Sequence, residues 1–176
     1  MLKVTIASLC IFFTSCNADI DNLSNGVEKK YYSSGALKTV KEYYDDKKNK
    51  RIIEFFENGD TASIANYFNG HYVGDVIFYH STGKKNFQET YDSSGLSNGT
   101  FYLWSAEGKL KQTGKKKLGK KSGEWKSYFD NGLIETIETY ENGKKNGWSF
   151  YFDLSGDTIK TIKKYIKDKL IRQKKK

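Results

Sequence analysis

The chain has 176 residues, a net charge of +9 and a mean hydropathy of −0.72, with 37% hydrophobic and 15% aromatic residues. The low hydropathy argues against a deep apolar core, whereas the aromatic content argues against intrinsic disorder. Aromatic side chains suit half-buried sheets, and the 16 glycines, with no proline, must provide the turns. Composition therefore favours an all-β chain with many glycine turns. Lysines occur throughout and discourage edge-to-edge aggregation of strands, so the charge does not by itself indicate a nucleic-acid partner.

The amino terminus has the layout of a secretory signal peptide. Lys3 precedes an apolar stretch from Val4 to Phe13, which is too short to span a bilayer as a mature helix. The segment Phe13-Thr14-Ser15-Cys16 resembles a bacterial lipobox, with Phe13 where leucine is usual. The resemblance implies a signal peptide over 1–15, a lipid on Cys16 and a polar tether over 16–26. The alternatives are an ordinary cleaved signal, or a buried helix with an incidental cysteine.

The following residues repeat with a period of about 24 residues. Six glycines are spaced by 24 or 25 residues, and an aromatic residue lies four positions before each of them. A tyrosine follows most of the glycines by eight residues; Lys116 replaces it in the fourth unit and Tyr165 comes one residue late. We predict that these residues form the turns and the core of the repeats. The glycines are Gly35, Gly59, Gly83, Gly108, Gly132 and Gly156; the aromatic residues are Tyr31, Phe55, Tyr79, Trp104, Tyr128 and Phe152; the tyrosines are Tyr43, Tyr67, Tyr91, Tyr140 and Tyr165.

Each unit is predicted to be a β-hairpin. Residues 125–129 form one strand and residues 133–140 return, joined by Asp130-Asn131-Gly132. Asn-Gly favours a type I′ turn, whose twist matches an antiparallel hairpin. Because no unit can bury its aromatic residues alone, the units should stack on their neighbours. The sequence thus predicts an elongated, single-layer antiparallel meander of about six two-stranded hairpin repeats.

The units Gly-x-Trp-x-x-Tyr-Phe-x-x-Gly and Tyr-x-Asn-Gly-Lys, best seen at 123–132 and 140–144, resemble MORN repeats of the bacterial second variant. The resemblance covers 27 to about 167. It implies a repeat array that serves as a scaffold, a dimerisation module or a membrane-associated module. Proteins with this arrangement also resemble the antitoxin of YwqK-type toxin–antitoxin pairs.

The carboxyl end is rich in lysine, and we place the array over 27–170 and a basic tail over 171–176. Its charge suits an anionic membrane or an acidic partner, although a solvated cap is the simpler interpretation. Ile159, Ile162, Tyr165 and Leu170 also fit helical spacing, so a short C-terminal helix stays open as an alternative.

The sequence lacks a recognisable catalytic set. His71 and His80 are the only histidines, and His80 is interpreted as a strand residue that faces solvent. The segment 114–123 lacks the Gly-Lys-Ser/Thr ending and the helix of a phosphate-binding loop, so we interpret it as a basic turn. We expect no enzyme activity, metal or cofactor.

These observations predict a lipid-anchored protein of the bacterial cell envelope, facing the periplasm or the exterior. We expect it to bind another protein or a cell-surface polymer, with its lipid in a membrane and without a nucleic-acid partner. The alternative is an antitoxin or immunity-type protein that neutralises a cognate toxin by direct binding.

Overall fold

A computed structural model describes residues 26–44 and 48–175, and in this part of the chain all regular structure is β-strand. The predicted signal peptide, Cys16 and the tether before Gly26 lie outside the described residues. The strands are β1 (Val27–Tyr31), β2 (Leu37–Tyr44), β3 (Asn49–Phe55), β4 (Thr61–Phe68), β5 (His71–Tyr79), β6 (Lys85–Tyr91), β7 (Ser97–Trp104), β8 (Leu110–Lys117), β9 (Lys120–Tyr128), β10 (Ile134–Glu141), β11 (Lys144–Phe152), β12 (Ile159–Ile166) and β13 (Lys169–Lys175).

The strands form one antiparallel sheet whose spatial order follows the chain from β1 to β13. The predicted single-layer meander is therefore confirmed. Strands β1 to β12 form six hairpins, and β13 adds the first strand of a further unit. The extensive strand-to-strand contacts all join strands that are neighbours along the chain, as expected for a repeat array.

The alternative of a short C-terminal helix is wrong. Residues 159–166 and 169–175 are β12 and β13, and Tyr165 pairs with Leu170 across the hairpin. Lys167 and Asp168 both have positive φ, 48° and 69°, and form a two-residue turn between these strands. Residues 159–166 form a strand because they pair with β11, where Phe150 lies opposite Ile162 in the sheet. Residues 171–175 of the predicted basic tail belong to β13.

The turns within units differ from the predicted type. In the fifth unit the amide of Gly132 donates to the carbonyl of Phe129 at 2.9 Å, and the amide of Phe129 donates to the carbonyl of Leu133 at 2.9 Å. Gly132 has φ of 85°, but Asn131 does not have positive φ. The type I′ prediction for Asn131-Gly132 is therefore wrong: this is a longer turn that ends in a left-handed glycine, with a bulge where the return strand starts.

Four turns between units, including the Lys167-Asp168 turn, have positive φ at both central residues, as in type I′ turns. Asn142 and Gly143 have φ of 51° and 83°, and Asn69 and Gly70 have φ of 48° and 85°. Leu118 takes the asparagine position of the third, with φ of 50°. The amide of Gly143 also donates to the carbonyl of Lys121 in the previous unit at 2.9 Å. Turns along this edge therefore join successive units.

The two faces of the sheet are not equivalent, because alternate residues of a strand point to opposite faces. We call the face that carries Trp125 the packed face, and the face that carries Phe150 the open face. The register between neighbouring strands shows on which of the two faces each other strand residue lies. Every buried residue of the described chain lies on the packed face; these are Thr39, Ser63, Ala65, Val76, Glu89, Ser97, Trp125 and Ser149.

Trp125 is the centre of the packed face and is only 2% exposed. Its indole N–H donates to the carbonyl of Lys115 at 3.0 Å, and its ring lies 5.3 Å from that of Phe101. Gly114 lies directly beneath the ring, where a Cβ atom would come within 2.3 Å of it. The absence of a side chain at Gly114 thus creates the space that Trp125 fills.

Candidate binding surface

The open face presents a row of side chains that crosses all thirteen strands, one residue from each. The register places them opposite one another without interruption, and most are apolar and half-buried. No second layer covers the row in the part of the chain that the structure describes. The row is Lys29, Val40, Ile53, Ile64, Ile77, Gln88, Tyr102, Thr113, Lys126, Ile137, Phe150, Ile162 and Lys174.

Exposed apolar side chains are also distributed unequally between the two faces of the sheet. In β1 to β12, all the large hydrophobic residues that are well exposed to solvent lie on the open face. Single exposed apolar residues are common on proteins, but their confinement to one face is informative. They are Val27, Tyr31, Tyr44, Phe68, Trp148 and Ile166.

The open face also contains concave depressions. One of about 290 Å³ lies at the carboxyl end of the array, and its lining comprises Trp148, Phe150, Ile162, Arg172 and Lys174. A more polar one of about 380 Å³ lies near Tyr102. These volumes suit side chains of a partner, and the surrounding surface is extended rather than a closed cleft.

The six aromatic residues that precede the turn glycines lie at strand ends on the open face. Tyr31 is 58% exposed and the other five are half-buried. Trp104 stacks on Tyr102 with ring centres 5.5 Å apart, and the Lys85 ammonium lies 5.5 Å from the Trp104 ring centre. All six turn glycines have positive φ, between 73° and 89°: Gly35, Gly59, Gly83, Gly108, Gly132 and Gly156.

The five tyrosines that follow the glycines lie on the packed face and are half-buried. They are Tyr43, Tyr67, Tyr91, Tyr140 and Tyr165. Lysines from adjacent strands lie over several of these rings: Lys50 is 5.3 Å from the centre of Tyr67, and Lys145 is 5.3 Å from that of Tyr165. Lys116, which replaces the tyrosine in the fourth unit, pairs with Glu89 at 2.6 Å.

Burial changes the ionisation of this face. Burial, the charge of Glu89 and the neighbouring Tyr72 raise the pKa of Tyr91 to about 12. Burial works to raise the pKa of Glu138 as well, but hydrogen bonds from Lys145, Tyr140 and Tyr151 outweigh it and lower that pKa overall. The carboxylate of Glu138 is thus held by three hydrogen bonds on the packed face, which suits a structural role.

The histidines do not approach each other as ligands. His80 was interpreted as a strand residue that faces solvent, which is wrong: it follows β5, is half-buried, and its Nε2 lies 3.1 Å from the carbonyl of Trp104 in the next unit. Tyr32 makes the equivalent contact to Phe55 at 2.8 Å. His71 is exposed at the start of β5. The described residues contain no group of three or more potential metal ligands.

The buried position of the repeat was not among the predicted core positions. Four consecutive units open with a glycine, and the second residue after it lies on the packed face; these opening glycines are Gly74, Gly99, Gly123 and Gly147. The second residues are Val76, Phe101, Trp125 and Ser149. The regular spacing from the opening glycine was the available signal. Trp148 departs from this spacing. It is the first residue after its opening glycine, whereas Trp125 is the second, so Trp148 lies on the opposite face.

Among the described residues, none forms a helix of the length and apolarity that crossing a membrane requires. Residues 121–144 match the model of the MORN repeat variant family. No match is found among curated proteins. One similar solved structure is a point mutant of S. aureus TarM in complex with fondaparinux, alpha-GlcNAc-glycerol and UDP. It is 14% identical to this chain with a TM-score of 0.37, and the match covers 55% of this chain and 19% of the TarM chain. The family match, which spans one unit of the array, supports a MORN-repeat protein.

Proposed function

We propose that this chain is a lipid-anchored repeat protein of the bacterial cell envelope that acts as a protein-binding or scaffolding module. Its open face is the binding surface. The observation that carries this proposal is the asymmetry of the sheet: every buried side chain of the described residues lies on one face, and the exposed apolar side chains of β1 to β12 lie on the other. An apolar surface without its own covering layer is typical of a site of protein association.

The family resemblance supports the same role, since MORN repeats are generally protein-binding or membrane-binding modules. An extended row across thirteen strands suits a large partner surface better than a small molecule. Cys16 supplies the anchor, and the polar segment after it holds the array away from the membrane.

Photo-crosslinking from adjacent positions tests the binding face. A photoreactive amino acid is placed at Thr113 on the open face, or at its neighbour Gln112 on the packed face, in cells that produce the full chain. Both residues are half-buried, so they make a matched pair. We expect a discrete adduct with another protein from position 113 and little from position 112. Equal yields, or no adduct from position 113 and the further open-face position Gln88, would contradict the proposal. An adduct with a small toxic protein would favour the antitoxin alternative.

Metabolic labelling with an alkyne fatty acid tests the anchor separately. We expect label on the wild-type chain, its loss in Cys16→Ala, and release of that variant from the membrane fraction. A wild-type chain without label would refute the anchor but leave the binding surface as proposed.

A further inference from the structure

Trp148 lies on the open face because the residue order of its unit is changed. Gly147-Trp148-Ser149 stands where the previous unit has Gly123-Glu124-Trp125. A shift of one residue moves a side chain to the other face of a strand. Ser149 therefore occupies the buried position, and the indole of Trp148 is 41% exposed. The packed face does not use this indole, so it is available to a ligand.

Two rows of side chains cross the open face of β11, β12 and β13, because the register pairs these strands without interruption there. The rows are Trp148, Lys164 and Arg172, and Phe150, Ile162 and Lys174. We call Trp148 and Phe150 the β11 rings, and Arg172 and Lys174 the β13 cations. The surface thus changes from aromatic to cationic over two strand spacings, about 10 Å.

The depression of about 290 Å³ has the β11 rings on one side and the β13 cations on the other. Ile162 lies between them in the sheet, so it provides the apolar middle of the depression. The Lys164 ammonium lies 5.3 Å from the centre of the Trp148 ring and adds a further cation beside it. A depression of this size suits one large side chain rather than a cofactor.

The cations of this surface form no salt bridge with a carboxylate of the described residues. They are Lys160, Lys164, Arg172 and Lys174. Within β11, β12 and β13, no aspartate or glutamate lies on the open face. Asp168, in the turn between β12 and β13, accepts the backbone amide of Lys145 at 2.7 Å through its Oδ1. A ligand that complements this surface therefore carries negative charge next to an apolar group.

We propose that the depression binds an acidic segment of a partner protein through one apolar side chain and a neighbouring carboxylate. The segment lies on the open face and runs across the strands. Its apolar side chain packs between the β11 rings and Ile162, and its carboxylate pairs with the β13 cations. The apolar wall argues against a nucleic-acid backbone, and a volume for one side chain argues against the paired acyl chains of a phospholipid. This proposal rests on the proposed protein-binding function and names the chemistry of one part of its surface.

Synthetic peptides test the two halves of the site with the full chain. The probe is a short labelled peptide with one phenylalanine beside two glutamates in a glycine–serine background, and fluorescence anisotropy measures its binding. One control peptide has alanine in place of the phenylalanine, and the other has glutamines in place of the glutamates. We expect each control to bind at least about tenfold more weakly than the probe.

Variants of the chain locate each half. Arg172→Gln/Lys174→Gln should weaken binding of the probe at least about tenfold, and Trp148→Ala should weaken it several-fold. The matched control Lys117→Gln/Lys120→Gln removes the same charge from an exposed turn between β8 and β9, and should leave binding unchanged. Circular dichroism verifies that each variant keeps its β structure.

Combining peptides and variants tests the arrangement itself, because groups in contact do not act additively. The glutamine peptide should lose little further affinity in Arg172→Gln/Lys174→Gln, and the alanine peptide should lose little further affinity in Trp148→Ala. Full additivity in both combinations would overturn the proposed arrangement.

Three other results would overturn the proposal. The first is equal binding of all three peptides to the wild-type chain, and the second is an equal loss of binding in Lys117→Gln/Lys120→Gln. The third is binding of phosphatidylglycerol vesicles or single-stranded DNA that depends on Arg172 and Lys174, without binding of the probe. Failure of the probe together with an adduct from position 113 would refute this site and retain the proposed function.

Discussion

The contact between Gly114 and Trp125 allows the packing of the array to be tested at one point. An alanine Cβ at position 114 would lie 2.3, 2.4 and 2.7 Å from three atoms of the indole. These distances are too short for carbon atoms, so the ring or strand β8 must move. Overpacking of this kind costs about 1–3 kcal/mol. Gly114→Ala should therefore lower the free energy of unfolding by that amount, even though alanine is otherwise favoured over glycine within a strand.

Removal of the indole gives the complementary perturbation. A tryptophan buries about 150–250 Å² at about 25 cal/mol per Å², and Trp125 also loses its hydrogen bond to Lys115. Trp125→Ala should cost about 3–5 kcal/mol, as large-to-small core changes do. In that background the added methyl group of Gly114→Ala has room, so it should cost little. The two changes should be coupled by at least about 1 kcal/mol.

Urea unfolding followed by far-UV circular dichroism measures all four proteins of this cycle. Array proteins need not unfold in a single step, so the comparison uses midpoints and slopes together. A Gly114→Ala effect of the same size with and without Trp125 would refute the packing argument. So would a neutral effect of Gly114→Ala in the wild-type chain.

Three further outcomes follow from the structure. Trp148→Ala should cost less than about 1 kcal/mol in urea unfolding, because its indole is 41% exposed, and a loss comparable to that of Trp125→Ala would contradict its assignment to the open face. The pKa of Glu138 is lower in the folded chain than its ordinary value of 4.5, so the unfolded chain binds more protons. The free energy of unfolding should therefore fall as the pH drops from about 5 through the folded-state pKa. Glu138→Gln should reduce this pH dependence, measured by urea titrations at about pH 3–7. Gly156→Ala should be more destabilising than Gly132→Ala in thermal unfolding, because both have positive φ but only at 156 would the Cβ atom meet Leu133, at 2.7 Å; equal effects would contradict this.

Much of the fold follows from local sequence. The glycines at intervals of about 24 residues predicted where the chain turns, and each of the six has the positive φ for which glycine is suited. The aromatic segments before the glycines, and the return segments after them, were predicted to be strands. These signals are local, so they predicted the meander without knowledge of which strands pair.

Details of pairing were not predictable in the same way. The hairpin at Asn131-Gly132 has a bulge in its return strand, and the bulge changes the turn from the type that Asn-Gly favours. At the carboxyl end, helical spacing of isoleucines was compatible with a helix, but pairing of β12 with both β11 and β13 stabilises strands. In both cases contacts with a neighbouring strand outweighed the local preference.

By itself the sequence determined the repeat, its period and the positions of its turns, because these depend on residues close together in the chain. Only the tertiary structure decided which face of the sheet is packed, since that depends on register across many strands. It placed Trp125 over the space left by Gly114 and Trp148 on the opposite face, although both follow an opening glycine. A difference of one residue in the strand has no large effect on local propensity, but it reverses the direction of the side chain.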